Sequence, residues 1–567
     1  MLTNGSKVIA KSLKAQGVTV VFGIVGIPVV EVAEAIIAEG IKFIGFRNEQ
    51  SASYAAGAHG YLTGRPGVCL VVSGPGVVHA LPGVVNATAN CWPLLLLGGS
   101  SDTYQQGMGA FQEMDQLALL KQHTKYSARP ASLLQISNVI DSAVRYSIYG
   151  RPGPVYIDLP ADLIQAETDD QKLTIKGPVP NPAKSLADLG AVERAALLLT
   201  QAKMPLVIIG KGAAYARAEH AIREFIDHSN IPFLPTPMGK GVVPDSHPLC
   251  VSAARSKALS DADVVLLLGA RLNWILHFGQ PPKFSESVKI IQVDIHPEEH
   301  HANRRAEVSL VGNVDLIVGQ IKEHIPANCH NVRDSPYLGP WFEKVKANVA
   351  ATEKKLKDDT YPMSYHRAFW EIKKRLPENV IFVSEGANTM DIARSIFDVQ
   401  EPRCRLDAGT LATMGVGLGF AIAGKRVFLI VAKVCYPNKH VVAIEGDSAF
   451  GFSAMELETA IRANTPILII IINNNGIYHG LDVATYKSTP DNSLPSTALL
   501  PDVRYDAIAE AVGGSGYFVR TPDELGQAVE EGLRESHNTC VVINVMIQPG
   551  GRKKLDFAWL QTTKTKL

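Results

Sequence analysis

The chain has 567 residues, with 55 basic and 55 acidic side chains and no net charge. That length fits three or four domains, and a 46% hydrophobic, 19% charged composition excludes wholesale disorder. Zero net charge argues against nucleic acid or an anionic membrane as a bulk electrostatic partner, since both select a basic excess.

The N-terminal stretch MLTNGSKVIAKSLKAQG has no apolar core of a secretory signal. From there to about residue 170, short apolar segments (VTVVFGIVG, IKFIGF, GVCLVVSG, PLLLLGG, PVYIDLP) alternate with helical stretches. Such alternation predicts a parallel sheet flanked by helices. Residues 166–186 are polar, carry Pro178, Pro180 and Pro182, and read as a linker. A second α/β block spans 187–326, with strands at Pro205–Gly210, Val264–Gly269 and Lys289–Asp294. A charged, linker-like region covers 327–362. A third block spans 363–556, with strands at Val380–Ser384, Val441–Glu445 and Pro466–Asn473. Residues 557–567 read as a tail. The longest apolar run, Ile467–Ile472, is far short of the ~20 residues that cross a bilayer. The seven cysteines are widely spaced with no CxxC, which suits neither a disulfide framework nor a zinc site. The fold class predicted is α/β, with three doubly wound parallel-sheet domains.

The strongest chemistry lies in the third block. The strand Val441–Glu445 runs into Gly446-Asp447-Ser448, a helix follows, and Pro466 opens a strand ending at Asn473-Asn474-Asn475-Gly476-Ile477. In a βαβ unit both strands are parallel, so Asp447 and Asn474 reach the same sheet edge. A carboxylate, an amide oxygen and turn carbonyls form a hard-oxygen site suited to Mg²⁺, and Gly446 and Gly476 let backbone approach a diphosphate. Gly-Asp and Asn-Asn-Asn-Gly are each common turns; their pairing at equivalent strand ends is what points to a site. In the first block, Glu49 stands at a strand end beside the alanine- and glycine-rich segment SASYAAGAHGY, where it is partly desolvated.

These segments resemble the thiamine-diphosphate motif, GDG followed by about two dozen residues and NN, with Ser448 in place of the third glycine. Glu49 matches the glutamate of the family's E-x-x-x-x-x-A-A-G pattern, followed here by Ser73-Gly74-Pro75-Gly76. The stretch GTLATMGVGLG (409–419) matches the loop under the cofactor. The resemblance implies that Asp447, Asn474 and the Gly476 carbonyl hold Mg²⁺. It implies that Gly74, Ala412, Met414, Gly446, Ser448 and Ile477 line thiamine diphosphate. It also implies that Glu49 hydrogen-bonds the aminopyrimidine. Ala412 stands where many relatives have glycine.

Within that family the chain resembles the 2-hydroxyacyl-CoA lyases and the related oxalyl-CoA decarboxylases, in PMGKG (237–241), SARP (127–130), GRPG (150–153), GARLNW (269–274) and GDSAFGFSAMELET. GAFQE (109–113) favours the lyases, because the decarboxylases tend to carry tyrosine and glutamate at Phe111 and Gln112. The resemblance implies cleavage of a 2-hydroxyacyl-CoA to formyl-CoA and an aldehyde one carbon shorter, with Gln112 and His79 near the substrate. The alternatives are an oxalyl-CoA decarboxylase, an acetolactate-synthase-like enzyme, and an inactive nucleotide-binding subunit. In the middle block, Arg151, Lys211, Arg271 and Asp294 are expected to hold ADP, a possible activator, or the nucleotide of CoA. A homodimer or homotetramer with Glu49 acting in trans is implied. Thr565-Lys566-Leu567 differs from the peroxisomal address S-K-L by one residue. That predicts an import receptor as partner and a peroxisomal location, or a cytoplasmic one if the tripeptide is not read.

Overall fold

A computed structural model describes residues 2–330, 332, 335–378, 380–431 and 439–550. Three parallel sheets follow one another along the chain. The first runs in the order Lys42–Gly45, Val20–Gly23, Gly67–Val71, Leu94–Ser100, Pro154–Pro160, Ser127–Ala128. The second runs Phe233–Pro235, Pro205–Ile209, Val264–Leu268, Lys289–Asp294, Val308–Val311. The third runs Arg405–Asp407, Ile381–Glu385, Val441–Gly446, Leu468–Asn473, Val541–Met546, Ser515–Val519. Both faces of these sheets are covered, so their central strands are continuous apolar runs. Every residue of Val264–Leu268 and of Leu468–Asn473 is buried.

Numbered within each block, the strands of the first and third sheets share the order 2-1-3-4-6-5, and the middle sheet runs 2-1-3-4-5. The sequence alone could not relate the first and third blocks; their strand order does. In doubly wound sheets, ligands sit where the order reverses, between strands 1 and 3 at their carboxyl ends. In the third block that point falls between Glu385 and Glu445-Gly446-Asp447, and in the middle block between Gly210-Lys211 and Gly269-Ala270-Arg271.

The first and third blocks share one hydrophobic core. At its centre the helices Glu49–Thr63 and Gly417–Val431 pack against each other. Small residues permit the approach: a Cβ on Gly419 would lie 2.7 Å from the Ser51 carbonyl. Residues Ser51 to Leu62 are buried on every side of their helix, which explains the run of alanine, glycine and serine. Phe420 packs edge-on to Tyr54 and tilted on Trp92, closing the seam.

Two segments read as linkers carry structure. Glu167–Asp169 pairs antiparallel with Leu2–Asn4, tying down the N-terminus. Gly339–Leu356 is an 18-residue helix whose charged outer face hides its buried anchors. Trp341 inserts into the core of the middle block and Leu356 into that of the third. Of the segment 425–440, residues 432–438 lie outside the described residues, as does Thr565-Lys566-Leu567. Among the described residues, no helix is long and apolar enough to cross a membrane.

Candidate active site

Glu49 opens its helix, one residue after Asn48, whose side chain accepts from the Gln50 N–H at 2.8 Å. Its own carboxylate is 13% exposed and lies 3.3 Å from His79 Nδ1. His79 belongs to the helix Pro75–Asn90, which Gly74 caps at φ +52°. Gln112, itself at φ +56°, lays its backbone carbonyl against Gly74, and its side-chain Oε1 is buried with no partner among the described residues. Glu49 and His79 thus meet directly, while Gln112 packs on the glycine that starts the His79 helix.

Two residues that sequence reasoning missed hold this edge together. Gln116 is buried; its Oε1 accepts from the Gly74 N–H at 2.5 Å. Its amide nitrogen faces the Gly99 carbonyl, Tyr156 and Asp158. Glu456, from the third block, accepts from the Arg47 N–H at 3.2 Å and the Asn48 N–H at 3.0 Å, the turn that delivers Glu49. Burial pushes the Glu456 carboxyl up to about 7. Gln116 belongs to no short motif, and Glu456 stands in the run GDSAFGFSAMELET, where nothing in the sequence shows that its contact crosses two blocks. Substituting Gln116→Leu takes the side-chain partner from the Gly74 N–H and the Gly99 carbonyl, while Asp158 keeps Ser100, Arg129 and Tyr156; we expect a loss of about 2–3 kcal/mol in folding stability, read as a lower denaturant midpoint, together with a fall in kcat.

In the third block the two turns meet as the βαβ geometry requires. Strands Val441–Gly446 and Leu468–Asn473 are neighbours, with Gly446 opposite Ile472. Asp447 is buried; its carboxylate accepts from the Ser448 N–H and, across the strands, from the Gly476 N–H, each at 2.9 Å. Burial pushes this carboxyl up to about 7 despite those amides. Asn474 is also buried, and its Nδ2 donates to the Tyr478 carbonyl at 3.0 Å, which turns its amide oxygen the other way. Ile477 is half exposed beside them. No cluster of three or more His, Cys, Asp or Glu suited to a metal occurs among the described residues. The donor set here is instead one carboxylate, one amide and turn carbonyls. It fits a hard dication that keeps few protein carboxylates and takes its other oxygens from a diphosphate and water.

The loop 409–417 is held at both ends and carries a left-handed residue. Ala412 sits at φ +56°, a left-handed conformation that favours glycine. We expect Ala412→Gly to retain activity and not to lower stability, as thermal denaturation would show. Thr413 Oγ1 lies 3.3 Å from the Tyr54 hydroxyl, which accepts from Gln50 Nε2 at 3.1 Å, so the loop touches the Glu49 helix. Glu385 gathers the end of the loop, accepting from the N–H groups of Gly415 and, at 2.6 Å, Gly417. Glu445 lies directly opposite Glu385 in the sheet with neither oxygen bonded among the described residues. Burial raises both carboxyls, and Glu445, lacking amide donors and facing Glu385, is raised further. Met414 is half buried between these contacts.

Arg151, Lys211, Arg271 and Asp294 line one cavity of about 480 Å³ at the meeting of the three blocks. Arg151 is paired with Glu299 at 2.7 Å and lies 4.0 Å from Asp294. Desolvation and the neighbouring Arg271 guanidinium pull the Lys211 ammonium down to about 7.

Three family models match in series: the N-terminal binding domain of thiamine pyrophosphate enzymes over residues 3–119, their central domain over 192–321, and their C-terminal binding domain over 385–545. The chain belongs to the thiamine pyrophosphate enzymes. It is 50% identical to 2-hydroxyacyl-CoA lyase 1 of Mus musculus over 98% of this chain and 96% of that protein. Identity to 2-hydroxyacyl-CoA lyase 1 of Homo sapiens is also 50%, over 98% and 97%. Oxalyl-CoA decarboxylase of Escherichia coli (strain K12) is 41% identical over 97% and 95%. As a member of this family the chain is an enzyme with two thiamine pyrophosphate binding domains, and both edges described above lie within them.

Proposed function

We propose that this enzyme is a 2-hydroxyacyl-CoA lyase, releasing formyl-CoA and an aldehyde one carbon shorter. The observation that carries this reading is the 50% identity over nearly the full chain to lyases of that name, against 41% to the decarboxylase. Asp447, Asn474 and the Gly476 turn would hold Mg²⁺ and the diphosphate. Gly74, Ala412, Met414, Gly446, Ser448 and Ile477 would line thiamine diphosphate. When bound, that cofactor supplies the electron sink for breaking a carbon–carbon bond. Glu49 would hydrogen-bond the pyrimidine through its carboxylate, with His79 3.3 Å from that carboxylate. Gln112, whose Oε1 is buried and unpartnered among the described residues, would accept from the 2-hydroxyl of the substrate. In balance, the C1–C2 bond breaks, the 2-hydroxyl proton leaves as the aldehyde forms, and C1 takes up a proton to become formyl-CoA.

The cavity lined by Arg151, Lys211, Arg271 and Asp294 is read as the seat of a nucleotide, either ADP as an activator or the adenosine part of CoA. A homodimer or homotetramer belongs to the same reading. The half-exposed apolar side chains Leu411, Phe452, Met455 and Ile477 surround the third-block edge and would be covered by a second copy. So does delivery to the peroxisomal matrix by a receptor that reads Thr565-Lys566-Leu567. The test is turnover with thiamine diphosphate and Mg²⁺: formyl-CoA from a long-chain 2-hydroxyacyl-CoA supports the lyase, and preference for oxalyl-CoA with release of carbon dioxide overturns it.

A further inference from the structure

Lys211 and Arg271 line the cavity, and both contact one residue of the third block, Thr410, on the same cavity wall. Lys211 Nζ lies 3.3 Å from Thr410 Oγ1, and Arg271 Nη2 lies 3.1 Å from the same oxygen. Trp274 Nε1 donates to the Thr410 carbonyl at 2.9 Å. The Thr410 N–H donates at 2.9 Å to Oδ1 of the buried Asn90 of the first block, which also accepts from Lys211. Arg271 Nη2 also donates to the Ala89 carbonyl at 2.6 Å. The N–H, carbonyl and hydroxyl of Thr410 are therefore all held, by side chains of the other two blocks.

Thr410 is the first residue of the segment that ends at Met414, and Glu385 fixes the backbone immediately beyond it. Between these two clamps lie the exposed Leu411 and Ala412, with Ala412 in a left-handed conformation that a free chain rarely adopts. A loop held this way before a ligand arrives does not lose conformational freedom on binding it.

We propose that Lys211, Arg271 and Trp274 are positioning residues for the segment Thr410–Met414, so that the middle block pre-forms the cofactor edge of the third. The proposal rests on the reading of Ala412 and Met414 as cofactor-binding residues. It gives Lys211 and Arg271 a task that is independent of any ligand in the cavity. Thr410→Val removes the hydroxyl that both cations address while leaving the cavity's charges in place. Trp274→Phe removes the bond to the carbonyl.

The experiment is calorimetric titration of thiamine diphosphate, with Mg²⁺, into the full-length wild type and the variants T410V, T410S and W274F, with kcat and KM measured at saturating cofactor. Expected are a roughly tenfold weaker cofactor Kd in T410V and W274F, recovery of wild-type affinity in T410S, and a KM for the acyl-CoA within about twofold of wild type throughout. Wild-type cofactor affinity in both T410V and W274F overturns the proposal, as does a T410S variant that fails to recover; if T410V does not fold, W274F decides alone. ADP titrated into the wild type is a separate arm. Its failure to bind removes ADP as a ligand of the cavity and leaves the clamp standing. Failure of thiamine diphosphate to bind the wild type instead removes the cofactor reading, and with it the clamp.

Discussion

Substituting Glu49→Gln is expected to lower kcat by about a thousandfold, within the 10²–10⁴ range of a positioned acid–base group. Cofactor affinity is expected to stay within about tenfold of wild type. The structural reason for the split is that glutamine keeps the shape and hydrogen-bonding reach of glutamate but cannot exchange a proton at pH 7. Glu49 is held from three sides: Asn48 caps its helix, Glu456 secures the Arg47 and Asn48 amides, and His79 faces its carboxylate. None of these contacts requires a charge on residue 49 to keep the turn in place, so the variant folds. Calorimetric titration of thiamine diphosphate beside steady-state kinetics checks both halves. Retained turnover defeats the assignment of Glu49, and lost cofactor binding makes it a binding residue instead.

What the sequence made legible follows from the range of the interactions involved. The strands were readable because parallel sheets covered on both faces need unbroken apolar runs. Lys289–Asp294 stands where the sequence places it, and Val264–Leu268 ends one residue early. Asp447 and Asn474 could be brought together because one βαβ unit fixes their relation, and the Asp447–Gly476 hydrogen bond expresses it. Longer-range relations were not readable. Glu456 of the third block meets Arg47 and Asn48 of the first, and Lys211, Arg271 and Trp274 of the middle block meet Thr410 of the third. Lys211 and Arg271 stood out as candidate nucleotide ligands, but their contact with Thr410, like that of Glu456 with the Glu49 turn, exists only once the blocks dock. The Gly339–Leu356 helix escaped for a related reason: two anchors, Trp341 and Leu356, are buried among many solvated charges. Gln116 escaped because a buried glutamine serving four partners has no sequence signature.

Substituting Asp447→Asn is expected to abolish binding of thiamine diphosphate with Mg²⁺ while making the cofactor-free protein more stable at neutral and alkaline pH. The two effects share one cause. In the wild type, burial holds the Asp447 carboxyl near 7, whereas an unfolded chain releases that proton near 4. Between those pH values the folded state binds the extra proton, so stability falls as pH rises, and above 7 the folded protein carries the full cost of a buried charge. The ceiling on that cost is about 4 kcal/mol, and relaxation and the Ser448 and Gly476 amides reduce what is measured. A dication at Asp447 would remove the penalty by pairing the charge, which would turn a destabilising group into a ligand. Asparagine keeps a carbonyl oxygen facing the Gly476 N–H but offers the metal no charge. The cofactor-free variant should therefore melt a few degrees above wild type at pH 8 and close to it at pH 5. Adding Mg²⁺ and thiamine diphosphate should raise the melting temperature of the wild type alone, because only a protein that binds the pair gains from it. A variant that melts below wild type at pH 8, or that is still stabilised by the cofactor, would show that Asp447 is a structural turn residue and that the metal is held elsewhere.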